Sequence, residues 1–180
     1  ATHHPHPTFI RYPRGAGEGV PIKDQPKLIE IGKAEVIQNF SNNGRRKVAL
    51  FGLGNMNSLA RQAAAKLSAE GFDAAVINPR FTKPLDAGTH EFFGRAAEVV
   101  VTLEDHVLMG GYGSAVLELF SEKGVTTPVV RIGWPDQFIE HASTQDELRR
   151  KYGLTVENAV ARVKALFSDT SVTAKLVEVA

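Results

Sequence analysis

Four short apolar runs divide this chain, and three of them hand over to a segment with helical spacing. The runs cover residues 47–52, 74–77, 98–103 and 128–132. Each is too short for a buried helix and rich in Val, Ile, Leu and Ala, as strands covered on both faces are. Helical spacing follows over residues 57–70, 86–95 and 112–122, with Gly71 and Gly124 as stops. Two more helices are expected over 145–152 and 156–167, the second with Thr155 as its N-cap. Strands that alternate with helices require crossover connections, and crossovers make a parallel sheet with helices on both sides. The expected architecture is therefore three-layer α/β/α around a mostly parallel sheet. Residues 28–37 supply one or two further strands, with Gly32 as a bend.

The first 27 residues read differently. Prolines and glycines recur there without periodicity, and the segment reads as a linker over a surface. It contains Arg11-Tyr12-Pro13-Arg14-Gly15. Pro13 fixes its own φ and holds Tyr12 extended, and Gly15 permits a turn or a close approach. A guanidinium preset in this way suits a phosphate or carboxylate, and it does not titrate. The same residues also read as surface charges around a linker proline. Because this segment precedes any complete domain, the chain is expected to be part of something larger.

Composition removes several classes of function. With 21 basic and 20 acidic residues, the formal net charge of +1 gives no reason to expect nucleic acid or an anionic membrane. Without cysteine there is no thiolate catalysis and no Cys-type zinc site. No apolar run approaches the ~18 residues of a membrane span, and no signal-peptide core opens the chain; a cytoplasmic protein is the expectation. His3, His4 and His6 form a histidine tract, read as a connecting segment more than as a metal site.

Four constellations stand at the expected strand ends. Gly52-Leu53-Gly54-Asn55 sits where a phosphate-binding loop would lie, but Asn57 occupies the place of the third glycine, so a tight strand-to-helix turn is the stronger reading. Glu104-Asp105-His106 follows the strongest strand, and Met109-Gly110-Gly111-Tyr112-Gly113-Ser114 opens a helix. These residues could do acid–base work or receive an anion on spare amides. Helix capping and a contact between domains or subunits are the favoured roles for Glu104 and His106. Ser114, His106 and Asp136 form a hydrolase set in name only, since no nucleophile elbow surrounds Ser114. Arg80 and Lys83 are expected to pair with Glu104 or Asp105 rather than hold an anion. Trp134, the single tryptophan, serves packing or an interface.

In order and spacing these segments resemble one family. Arg11-Tyr12-Pro13-Arg14-Gly15, Ile31-Gly32-Lys33-Ala34, Arg80-Phe81-Thr82-Lys83-Pro84-Leu85-Asp86, the stretch from Glu104 to Val116, and Ile132-Gly133-Trp134-Pro135-Asp136 are similar to the corresponding segments of 1-deoxy-D-xylulose-5-phosphate synthases. The resemblance runs from about residue 8 to 167. Pro79, Leu103, Asp105 and Trp134 are mild departures from the family pattern.

The resemblance implies a five-stranded, mostly parallel sheet of the transketolase C-terminal type. It divides the chain into 1–27 (end of the pyrimidine-binding domain and linker), 28–167 (transketolase C-terminal-like domain) and 168–180 (tail). It implies a transferase that uses thiamine diphosphate and magnesium to condense pyruvate with D-glyceraldehyde 3-phosphate. The product feeds isoprenoid, thiamine and pyridoxal synthesis. The family works as a homodimer with its remaining domains, and Arg14 takes the role of binding the substrate phosphate. The family's Gly-Asp-Gly magnesium motif and its thiamine-activating glutamate do not occur in this sequence. No catalytic, cofactor-binding or metal residue is therefore expected on this chain, and alone it is expected to be inactive. The alternative is a non-catalytic dimerisation or domain-packing module.

Overall fold

Residues Val48 to Gly52 have no polar side chain, so a strand here must be covered on both faces. The computed structural model, which describes residues 6–10, 24–25, 27–141 and 143–168, places them in the middle of a five-stranded sheet. The strands are β1 (Glu35–Gln38), β2 (Lys47–Gly52), β3 (Asp73–Asn78), β4 (Val99–Val107) and β5 (Val129–Trp134). Their order is β1-β3-β2-β4-β5. β1 runs antiparallel to β3, and the other pairs are parallel.

Alternation along the strands sorts the core into two layers. Val48, Leu50, Val76, Val101 and Ile132 face α1 (Asn57–Ala69) and α5 (Val156–Ser168). Ala49, Phe51, Ile77 and Val100 face α2 (Ala87–Ala96) and α3 (Tyr112–Lys123). Leu50, Phe51, Leu67 and Ile77 are wholly removed from solvent, each worth roughly 1.5–3 kcal/mol of apolar burial. α4 (Gln145–Tyr152) lies beyond β5, and Thr144 and Glu147 cap it reciprocally. Thr155 Oγ1 accepts from the Asn158 amide at 3.2 Å, the expected cap of α5.

Two expectations fail in detail. Only Glu35–Gln38 of the 28–37 segment is a strand; Leu28, Ile29 and Ile31 lie outside regular structure with their side chains exposed. β4 continues four residues past Leu103, so Glu104, Asp105 and His106 belong to the strand rather than following it. The ladder with β5 shifts register after Leu103 and resumes where Val107 pairs with Trp134.

Candidate functional site

In an open α/β sheet, ligands sit beyond the carboxyl ends of the strands, where the strand order reverses. Here that point falls between β2 and β4. The turn after β2 (Leu53 to Met56) and the turn after β4 (Leu108 to Gly111) flank it. The chain's own side chains fill it.

Glu104 is fully buried. Its Oε2 accepts from the Tyr112 amide at 2.7 Å, and its Oε1 from the Gly113 amide at 2.9 Å. Two otherwise orphaned amides of the first turn of α3 are thereby satisfied, next to the positive end of the helix dipole. A Cβ on Gly111 would lie 2.3 Å from Glu104 Oε2 and 2.3 Å from the Val107 carbonyl. The glycine is there so that strand and helix can close on the carboxylate. The spare amides read in the sequence as an anion site do receive an anion, and it is Glu104.

Asp105 ties three elements together. Its Oδ1 accepts from Trp134 Nε1 at 2.6 Å, and its Oδ2 from Asn55 Nδ2 at 2.7 Å and Arg149 Nη2 at 2.8 Å. Burial opposes the charge of this carboxyl. The bonds from Asn55, Trp134 and Arg149 outweigh burial and hold its pKa below the usual carboxylate range. Trp134 also meets Tyr152 edge to face, with centroids 5.8 Å apart. Its role is packing around Asp105, one of the two roles open from the sequence.

Beneath α3, His90 lies flat on Phe51 at 4.8 Å and is completely buried. Its Nδ1 donates to the Asp86 carbonyl at 2.7 Å, and its Nε2 lies 2.8 Å from the Tyr112 hydroxyl. Nδ1 therefore carries the proton, and Nε2 accepts from the phenol. Burial pushes the imidazole pKa down, against the partial compensation of Asp86. Burial and the nearby Glu104 carboxylate push the Tyr112 hydroxyl well up, so the phenol keeps its proton.

A stability prediction follows from His90. A pKa lower in the folded than in the unfolded chain means that the unfolded chain binds the extra proton first. His90 thus leaves stability intact above the ordinary imidazole value near 6.5 and erodes it as pH falls below, by up to about 1.4 kcal/mol per pH unit. Asp73, Asp86 and Asp105, all held low, lose their contributions only lower, around the ordinary carboxylate range. Urea titrations between pH 7.5 and 5 should show the slope, and His90→Gln should flatten it. Equal slopes in the two proteins would assign the effect elsewhere.

The remaining sequence candidates separate in space. Arg14 and the pentapeptide around it lie outside the described residues, as do His3 and His4. Ser114 Oγ bonds the Leu108 carbonyl, Arg131 and the Gly110 amide, while His106 Nδ1 reaches the Val107 carbonyl, so no bond joins them as a hydrolase set. Arg80 pairs with Glu35 at 2.8 Å, not with Glu104 or Asp105, because those two carboxylates are already spent. Among the described residues no three His, Cys, Asp or Glu side chains come together to hold a metal ion. No described helix is long and apolar enough to cross a membrane. No signal in the sequence marks His90 or Arg149, or the bond from Asn55 to Asp105, since the partners lie far along the chain or within a helix.

A doubly covered, mostly parallel sheet whose switch point is spanned by the bond from Asn55 to Asp105 defines a doubly wound α/β domain. Comparison with known proteins names the class. The family model described as the transketolase C-terminal domain matches residues 33–159, and the chain belongs to that family. It is 54% identical over 160 residues to 1-deoxy-D-xylulose-5-phosphate synthase of Methylacidiphilum infernorum, covering 89% of this chain and 24% of the relative. The synthase of Acidobacterium capsulatum is 47% identical over 160 residues, covering 89% of this chain and 25% of the relative. The chain spans about a quarter of the length of these curated relatives. A solved split-gene transketolase, an inactive beta4 tetramer, is 37% identical with a TM-score of 0.69, over 82% of this chain and 46% of that one. The expected five-stranded sheet of transketolase C-terminal type is thus what the chain adopts.

Proposed function

We propose that this chain is the C-terminal part of a 1-deoxy-D-xylulose-5-phosphate synthase, a transferase that condenses pyruvate with D-glyceraldehyde 3-phosphate. The 54% identity to the Methylacidiphilum infernorum synthase over most of the chain carries this reading. In it, residues 1–27 close the pyrimidine-binding domain and run as a linker, 28–167 form the C-terminal domain, and 168–180 are a tail. The parent enzyme is a cytoplasmic homodimer that supplies isoprenoid, thiamine and pyridoxal precursors. Thiamine diphosphate, held with magnesium on the remaining domains, supplies the electron sink for decarboxylation. The described residues do not fit that cofactor: the strand-end carboxylates Glu104 and Asp105 are committed to amides and to Arg149. None of them is given a catalytic role.

Arg14 is the residue of this chain that meets substrate, taking the aldehyde phosphate on its guanidinium. In the complete enzyme, Arg14→Ala should raise KM for glyceraldehyde 3-phosphate on the order of tenfold or more and leave KM for pyruvate unchanged. Equal effects on both substrates would remove Arg14 from the phosphate site. Activity should appear only when the other domains are supplied.

The similarity to a transketolase solved as an inactive tetramer favours a second reading for the isolated chain, a silent dimerisation or packing module. Calorimetry separates the two classes. Tight binding of thiamine diphosphate and magnesium by this chain alone would sink the silent module.

A further inference from the structure

Between β1 and β2 the chain turns through Ser41-Asn42-Asn43-Gly44-Arg45-Arg46, all of them exposed. The start of the turn is anchored. Asp73 accepts from the Ser41 amide, the Ser41 hydroxyl and the Asn42 amide, each at 2.9 Å. Lys47 Nζ bonds the Asn42 side-chain carbonyl at 2.7 Å. Asn43 and Gly44 form the tip beyond these anchors.

Asn43 is the one asparagine of the sequence that glycine follows. Its Oδ1 accepts from the Arg45 amide at 3.1 Å, which closes an Asx turn. The ring closed by that bond runs through the Gly44 nitrogen, so the side-chain carbonyl is folded back toward that nitrogen. The Arg45 N–H also faces Oδ1, the atom on which negative charge would collect if a nucleophile added to Cγ. Gly44 has a φ of +78°, and nothing lies within 4 Å of where a Cβ would stand, so the approach is open. Arg45, Arg46 and Lys47 follow directly, and nearby cations favour a deprotonated amide. Among the described residues, Asn43 Nδ2 makes no hydrogen bond that would retain it.

The other asparagines lack this combination. Asn39 Oδ1 accepts from the Phe40 amide, the nitrogen that would have to attack. Asn55 Nδ2 is held by Asp105. Asn57 and Asn158 sit in α1 and α5, whose backbone would have to unwind. Asn78 precedes Pro79, which has no N–H to lose.

We propose that Asn43 is a deamidation site of the folded chain, at which the Gly44 nitrogen displaces ammonia. That nitrogen gives its proton to solvent base and attacks Asn43 Cγ. The bond from Cγ to Nδ2 breaks, and ammonia leaves after taking a proton back from solvent. A cyclic imide then joins Cγ to the Gly44 nitrogen. Water opens it at Cγ to give aspartate, or at the main-chain carbonyl to give isoaspartate. One water is consumed and one ammonia released, with no change of oxidation state. Either product sets a carboxylate beside Arg45, and isoaspartate adds a methylene to the backbone of the turn. The assignment stands apart from the synthase reading, since it uses neither Arg14 nor any other domain.

The test is to incubate the 180-residue chain at mildly alkaline pH in ¹⁸O-labelled water, with and without guanidinium, and to map its peptides by mass spectrometry. Aspartate and isoaspartate, each carrying one labelled oxygen, should accumulate at position 43. Every other asparagine of the folded chain should react at least about tenfold more slowly, because the reacting atoms are prearranged only here. The folded chain should react no more than about threefold more slowly than the unfolded one, since no local opening has to come first. Asn43→Gln should remove the product and leave the unfolding midpoint in place. A larger slowing in the folded chain, faster reaction at another asparagine, or aspartate without isoaspartate would each overturn the proposal.

Discussion

Glu104→Ala should lower the unfolding free energy of this chain by roughly 4 kcal/mol, a large share of what a domain has. Two buried amides lose a carboxylate acceptor, at about 1–3 kcal/mol each when left unsatisfied. The side chain is fully buried, so water does not readily take its place. The first turn of α3 also loses a negative charge at its positive end. At about 2–4 °C per kcal/mol for a chain of this length, the melting temperature should fall on the order of 8–16 °C. Glu104→Gln should fall in between, because its amide NH₂ would face one of the two N–H donors. Thermal and guanidinium unfolding of the three proteins read this directly. A melting temperature within a degree or two of the parent in Glu104→Ala would mean that the carboxylate is spare, and an acid–base role would regain ground.

The same residue shows what was legible in the sequence and why. The 98–103 run announced a strand, and the glycines before Tyr112 announced a helix start. The favoured reading for Glu104 and His106 is helix capping and a contact between domains or subunits; the capping is found for Glu104, while among the described residues His106 reaches only the Val107 carbonyl. The strand end was misplaced because polar residues from Glu104 on break the apolar signal, whereas the backbone ladder needs no apolar side chain to continue to Val107. The opposite error occurs at Leu28, Ile29 and Ile31. Apolar residues there mimic a strand, yet their side chains stay exposed and pairing begins only at Glu35. The Asp105 cluster left no local trace, since Asn55 lies 50 positions away and Arg149 lies 44. The same holds for Arg80, whose carboxylate partner Glu35 lies on a strand that comes much earlier in the chain. Periodicity reports which faces are buried. Polar pairs between distant strand ends depend on strand order, which periodicity does not encode.

Gly52→Ala and Gly54→Ala should differ sharply, and the difference decides what the Gly52-Leu53-Gly54 turn is for. A Cβ on Gly52 would lie 2.8 Å from the Met56 carbonyl, 2.9 Å from Ala60 Cβ and 2.9 Å from Asn57 Cα. Two of these are backbone atoms of the first turns after β2, and the third is a methyl in the core. None can move without shifting α1 off the sheet, so Gly52→Ala should cost roughly 3 kcal/mol, at the upper end of overpacking. Gly54 has open space around its Cα and a φ of +60°. Its replacement meets only the left-handed penalty of about 1–2 kcal/mol. A phosphate loop would show another pattern, with both glycines required for ligand binding and Gly54, at the tip, the more sensitive. Guanidinium unfolding of the two variants supplies the comparison. Equal losses would mean that α1 yields at Met56 and Asn57. A larger loss at Gly54 would return the turn to the anion-binding reading, against the bond from Asn55 to Asp105 that now spans the switch point.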